Sequence, residues 1–242
     1  MIQQFIEVVN AQRIPVAIVV GASGGVGASC ARMLSKRGRA TLLLGRSESK
    51  LIKLADELRQ SGDAPSMAYR LDLCNPAEIE KLAKKLELLE TANVLIFAAG
   101  ITSNKTLNVD FDELQQVLNT NLVSTMWCAK HLVPALQRSR NSYIINIASR
   151  AGVYGFADKG VYGASKAATM RYLDSLRAEI QSKDMRVTSI CPGWINTPMA
   201  TRGGCKLAMD EILQPEDISS MVEWLLFSPL RVVVRDVILE SR

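Results

Sequence analysis

Histidine is almost missing from this 242-residue chain: His131 is the only one. That count excludes most histidine-based metal sites, and it leaves a Ser-His-Asp triad a single candidate base. Aromatic residues are sparse at 5%. The five cysteines (Cys30, Cys74, Cys128, Cys191, Cys205) are scattered without a C-x-x-C pair. An odd set with no such pair points to reduced thiols in a cytoplasmic setting and against a zinc cluster, so no metal site is expected. No run approaches the roughly 18 apolar residues of a membrane span. The first ten residues lack the basic-then-apolar order of a secretory signal. Charge of one sign is also lacking. Lys+Arg total 29 against 24 Asp+Glu, interleaved along helix-like stretches such as 78–90, which reads as a solvated mixed surface and not as a nucleic-acid face.

What is present is alternation. After a short head, residues 1–14, read as an N-terminal extension, Val16-Ala17-Ile18-Val19-Val20 is a continuous apolar run of the kind buried on both faces of a sheet. Further strands are predicted at 41–44, 67–71, 94–97, 143–148, 187–191 and 232–239. Helices are predicted at 26–37, 47–60 with Ser47 as cap, 75–89 opened by Asn75-Pro76, 111–138 with a break near Asn121, 162–182, and 215–227. Strands that alternate with helices imply a parallel sheet covered on both faces: a single doubly wound α/β domain over 15–242. In such sheets ligands bind beyond the carboxyl ends of the strands.

The first strand runs into Gly21-Ala22-Ser23-Gly24-Gly25-Val26-Gly27. Glycines here permit positive φ and let phosphates approach the backbone at a helix N-terminus, although a tight structural turn would use the same residues. Gly21 to Gly25 also satisfy G-x-S-x-G, the nucleophile elbow of α/β-hydrolases. That reading requires His131 to reach Ser23, yet His131 lies within a helical stretch. Farther on, Tyr162 and Lys166 stand four apart, on one face at a helix start. A neighbouring ammonium is expected to lower the tyrosine pKa and make it a proton donor or acceptor. Ser149 ends the strand before them, placed either to bond a substrate carbonyl or to cap a turn.

Together these elements resemble the short-chain dehydrogenase/reductase family over nearly the whole chain after about Pro15. Further matches are Asp72-Leu73, Ala98-Ala99-Gly100, Asn121, and Pro192-Gly193-Trp194-Ile195-Asn196-Thr197. The resemblance implies a Rossmann-type fold and a tetrad: Tyr162 as general acid, Ser149 orienting the carbonyl oxygen, Lys166 holding the nicotinamide ribose, and Asn121 anchoring a water in a proton relay. It also implies a cofactor-binding set. Gly21, Ser23, Gly25, Val26 and Gly27 would serve the phosphates, and Asp72, Leu73, Ala98, Ala99 and Gly100 the adenosine. Pro192, Gly193, Ile195 and Thr197 would meet the nicotinamide end beside Tyr162 and Lys166. One departure is Phe97-Ala98 in place of the family's usual pair of asparagines.

The second strand ends in Gly45-Arg46-Ser47, with no acid before Glu48 to bind ribose hydroxyls. Arg46 beside a 2′-phosphate, with Ser47 a further donor, fits NADP(H) in preference to NAD(H); an ordinary exposed arginine is the alternative. Residues 150–158 and 199–209, with Trp194, are expected to line the substrate cleft. Val153, Tyr154, Phe156 and Met199 would favour an apolar carbonyl or alcohol, and 201–206 would form a lid. Arg202 and Lys206 would suit a carboxylate or an acyl thioester's phosphopantetheine; Cys205 is read as incidental. By the same resemblance a homodimer or homotetramer is expected. A non-catalytic nucleotide-binding sensor on this fold is the alternative, opposed by the retention of all four tetrad residues.

Overall fold

Central strands buried along their whole length and helices with one-sided apolar stripes decide the layering. In the computed structural model, which describes residues 1–62, 64–180 and 184–241, seven strands form one parallel sheet in the order β3-β2-β1-β4-β5-β6-β7. They are β1 (Val16–Val20), β2 (Ala40–Gly45), β3 (Ser66–Arg70), β4 (Ala92–Phe97), β5 (Ser142–Ile147), β6 (Met185–Pro192) and β7 (Asp236–Leu239). Alternate residues of β1 face opposite ways. Val16, Ile18 and Val20 join one core with helices α1 (Ile2–Ala11), α4 (Pro76–Lys85) and α6 (Ser124–Gln137). Ala17 and Val19 join the other with α2 (Gly25–Lys36), α3 (Glu48–Ser61) and α9 (Pro215–Phe227). The strand order reverses between β1 and β4, and that reversal opens a crevice at the carboxyl edge.

The predicted elements recur with instructive shifts. Residues 16–20 and 215–227 match their element bounds, set by Gly21 on one side and by Pro215 on the other. The 75–89 helix ends at Lys85; beyond it Leu86 and Leu89 stay buried, but their amides close turns onto Ala83 and Leu86. An apolar stripe thus continues where the helix does not. The last strand pairs only from Asp236, because the Val232 amide turns back to the Pro229 carbonyl. The 111–138 helix is α5 (Phe111–Leu118), a π-turn (Asn119–Val123) and α6, with the break where Asn121 stands. Helix α7 (Gly160–Ile180) opens two residues before Tyr162; the predicted end at Ser182 lies outside the described residues.

Within residues 1–14, read as an extension, α1 buries Ile2, Phe5, Ile6 and Val9 in the first core. Asn10 fastens its end, donating to the Leu88 carbonyl at 2.6 Å and accepting from the Glu90 amide at 3.1 Å. Phe5→Ala is expected to destabilise the fold by about 3 kcal/mol, the usual scale for emptying a buried aromatic site. Urea unfolding checks this, with the linear slope unchanged.

Candidate active site

A cleft of about 1290 Å³ opens along the carboxyl ends of the strands. Its floor begins at Gly21, whose φ of +87° and closeness to the next strand leave room only for glycine: a Cβ there would lie 2.5 Å from the Ala99 amide nitrogen. Gly27 is buried beneath the turn, where a Cβ would meet the Gly21 carbonyl at 2.4 Å. It therefore sets how closely α2 approaches and does not itself line the cleft. Gly24 caps α2 without a side chain, and no acid occupies the first helical turn. The N–H groups and positive dipole end beside Gly25 and Val26 thus face the cleft uncompensated, an arrangement suited to phosphate oxygens.

Ser23 lies against Gly45, not against a base: a Cβ on Gly45 would sit 3.0 Å from its Oγ. His131 is on α6, its ring tilted against that of Trp127 with centroids 4.9 Å apart, and is absent from the cleft lining. The hydrolase reading of the glycine turn ends there.

Beyond β2, Arg46 and Ser47 line the far end of the cleft. Arg46 is exposed and makes no ion pair among the described residues. Lys50, in the first turn of α3, joins it. Asp72 and Leu73 follow β3, the Asp72 carboxylate holding the Cys74 amide at 3.0 Å. Ala98, Ala99 and Gly100 follow β4, while Cys74, Thr120 and Ala148 also line the cleft without a sequence signal.

At the other end four predicted side chains converge. Ser149 caps a short 3₁₀ turn by accepting from the Ala151 amide at 3.1 Å, and it also bonds to Tyr162. Of the two readings of this serine, the turn cap is the one its contacts display. Gly163 permits the contact, since a Cβ there would lie 2.6 Å from the Ala151 carbonyl. Lys166 is buried and donates to the Ile147 carbonyl at 3.0 Å. Burial pulls its ammonium down to about 8. A Cβ on Gly100 would touch both Lys166 Nζ at 3.3 Å and Asn121 Oδ1 at 3.2 Å, so that glycine separates the two. Asn121 lies behind the wall: Oδ1 accepts from the Ile101 amide at 2.8 Å, and Nδ2 donates to the Ile101 carbonyl and to Ser165 Oγ. A π-turn carries it there, as such bulges often do at functional sites.

One expectation is reversed. Burial pushes the Tyr162 phenol above its ordinary value, the Ser149 hydrogen bond draws it only partly back, and the Lys166 ammonium stands 6.0 Å from the ring centroid. Four-residue spacing puts the pair on one face without putting the charge on the oxygen.

Of the expected substrate segments, Arg150, Phe156, Asp158, Trp194, Met199 and Arg202 line the cleft. Val153 and Tyr154 turn outward to solvent, and residues 205–209 lie outside the lining. Pro192, Gly193, Ile195 and Thr197 do line it, Thr197 pressed so near the glycine turn that a Cβ on Gly25 would meet its Cγ2 at 2.7 Å.

The model of the short chain dehydrogenase family matches residues 15–206. An uncharacterized oxidoreductase of Staphylococcus saprophyticus is 30% identical over 224 residues, 92% of this chain and 95% of that one. The ketoacyl reductase HetN of Nostoc is 32% identical over 181 residues, 74% of this chain and 63% of HetN. Among solved structures, an alcohol dehydrogenase from Thermococcus sibiricus complexed with 5-hydroxy-NADP superposes with a TM-score of 0.84 at 26% identity, covering 94% of this chain and 97% of its own. The actinorhodin polyketide ketoreductase with NADPH gives 0.83 at 26%, covering 94% and 96%.

The depressed Lys166 fixes a sign for stability. Its folded value of about 8 lies below the ordinary 10.5, so the unfolded chain binds more protons between those limits. The contribution therefore costs stability below pH 8 and is relieved as pH rises toward 10.5, by about 3 kcal/mol in all. Lys166→Met is expected to remove that rise, read as the difference in urea midpoint between the two proteins at pH 7.5 and pH 10.

Proposed function

The chain belongs to the short-chain dehydrogenase/reductase family, and from that premise we propose that it is an NADP(H)-dependent enzyme interconverting a carbonyl and a secondary alcohol. The observation that carries this reading is the pairing, at one end of a single cleft, of Tyr162 bonded to Ser149 with Lys166 buried alongside. At its other end stands an uncapped helix N-terminus.

The residues fit a dinucleotide. The phosphates belong on the Gly25 and Val26 amides, which a side chain at Gly21 or Gly27 would displace. Asp72, with the Ala98-Ala99-Gly100 edge, holds the adenosine. Arg46, Ser47 and Lys50 meet the 2′-phosphate, since two cations and a hydroxyl with no acid at this strand end favour an anion over ribose hydroxyls. Lys166 and Thr197 hold the nicotinamide end. When bound, the nicotinamide supplies or accepts the hydride.

The chain's own part is proton transfer and orientation. A phenol held above its ordinary value is neutral near pH 7, so Tyr162 carries the proton that passes to the carbonyl oxygen in the reductive direction. The Ser149 hydroxyl fixes that oxygen and stabilises charge as it develops. Asn121 holds the wall formed by Ile101 and Ser165 and orders the path by which Tyr162 is reprotonated. A 3-oxoacyl thioester is the second substrate reading, favoured by likeness to the ketoacyl reductase HetN and to the actinorhodin ketoreductase.

Loss of NADPH absorbance is the assay, with a ketone panel and an acetoacetyl thioester. Tyr162→Phe is expected to lower kcat at least 100-fold while the NADPH dissociation constant stays within about twofold. Tight NADPH binding without turnover on any substrate would favour a sensor. Arg46→Asp is expected to lower the ratio of kcat/KM for NADPH over NADH at least tenfold; an unchanged ratio would remove Arg46 from the account.

A further inference from the structure

The substrate end of the cleft is roofed by α8 (Pro198–Arg202) and the Gly203-Gly204 turn, and one lysine reaches it from beneath. Lys159 stands three residues before Tyr162, at the same end of α7, and lines the same cleft. Its ammonium donates to Asn104 Oδ1 and, at 2.8 Å, to the Gly203 carbonyl, and lies 5.3 Å from the centre of the Trp194 ring. Asn104 in turn donates to the Arg202 carbonyl at 2.9 Å. The lid is drawn in closely: a Cβ on Gly203 would strike Trp194 Cζ3 at 2.8 Å.

Every one of these partners is uncharged. Asp158 is the one acid whose charge acts on Lys159, and it forms no ion pair with it among the described residues. Burial draws the ammonium below its ordinary value. An ammonium has three donors, and two are used. A partly desolvated cation held only by neutral acceptors keeps its charge unmatched, and an anion brought to it interacts more strongly than in water. The neighbouring cations differ in this respect: Arg150 is already neutralised by Glu240 at 2.7 Å, whereas Arg202 is exposed at the rim.

We infer that the substrate carries a carboxylate in addition to its reacting carbonyl, and that Lys159 is the residue that selects for it beneath the lid. The inference rests on the oxidoreductase reading for its reacting carbonyl, but the carboxylate contact can be measured without turnover.

The probes are levulinate and 5-oxohexanoate, each paired with its methyl ester, on the NADPH-loaded enzyme. The wild type is expected to favour the acid of at least one pair by tenfold or more in kcat/KM, the scale of a charge-assisted hydrogen bond. Lys159→Met should abolish that preference, lowering kcat/KM for the acid at least tenfold more than for its ester; Lys159→Arg should retain part of it. Equal rates for acid and ester, or equal losses on both in Lys159→Met, would overturn the inference and reduce Lys159 to a lid fastener. Binding of the same acids to NADP⁺-loaded Tyr162→Phe, followed by tryptophan fluorescence, separates the two claims. Acids bound in preference to esters there, and lost in Tyr162→Phe/Lys159→Met, would uphold the carboxylate contact even if the wild type turned neither over. NADPH binding with no acid bound would overturn the contact and leave the oxidoreductase reading standing.

Discussion

The site depends on how closely β1 and β4 can leave the sheet side by side. Where the strand order reverses, the chain after β1 must turn toward α2 while the chain after β4 passes within contact distance. The missing Cβ at Gly21 is what allows both, with Ala99 backbone filling the space a side chain would claim. Gly27 then lets α2 sit on that turn, and Gly25 lets Thr197 come across from the β6 side. Three absent methyl groups thus bring the helix end, the β4 edge and the β6 edge to one crevice. A single added carbon at any of them must push backbone or a β-branched side chain, neither of which yields cheaply in a packed interior.

The second theme is the handling of charge. Lys166 and Lys159 are both drawn below the ordinary lysine range by burial, yet for opposite reasons of design. Lys166 donates to the carbonyl of Ile147, the last residue of the buried strand β5, so its position is determined by the sheet. Lys159 is held by the 104 loop and the lid turn at Gly203, so its position is determined by connecting segments and not by the sheet. One cation is built into the scaffold; the other sits where recognition can be varied without disturbing the sheet.

Much of this was legible in the chain. Apolar runs closed by glycine or proline set β1 and α9 to the residue, because those two residue types end strands and open helices for backbone reasons that context does not override. The four tetrad candidates came from the family resemblance: Ser149 follows a strand end and Tyr162 stands near a helix start, but Asn121 sits in a π-turn between two helices, where no local rule singles it out. Less local facts were not legible. Leu86 and Leu89 keep a helical stripe while serving a turn. Ile2, Phe5, Ile6 and Val9 do show the i, i+3, i+4, i+7 spacing of an amphipathic helix, and that signal could have found α1. Lys159 carries no signature at all, since its partners come from positions 104, 194 and 203. The Tyr162 pKa failed for a similar reason: spacing gives a face, but burial decides the sign.

Helix α1 has a consequence for synthesis. Its apolar stripe packs into a core whose other members include Leu82, Leu86, Leu89, Leu132 and Leu136, and Asn10 finds its partners at residues 88 and 90. During translation the helix leaves the ribosome well ahead of them, and at roughly 5–20 residues per second several seconds pass before β4 and α6 can cover it. Through that interval its greasy side is open to chaperones and to other nascent chains, so a helix that emerges ahead of its core partners is among the later ones to find its place.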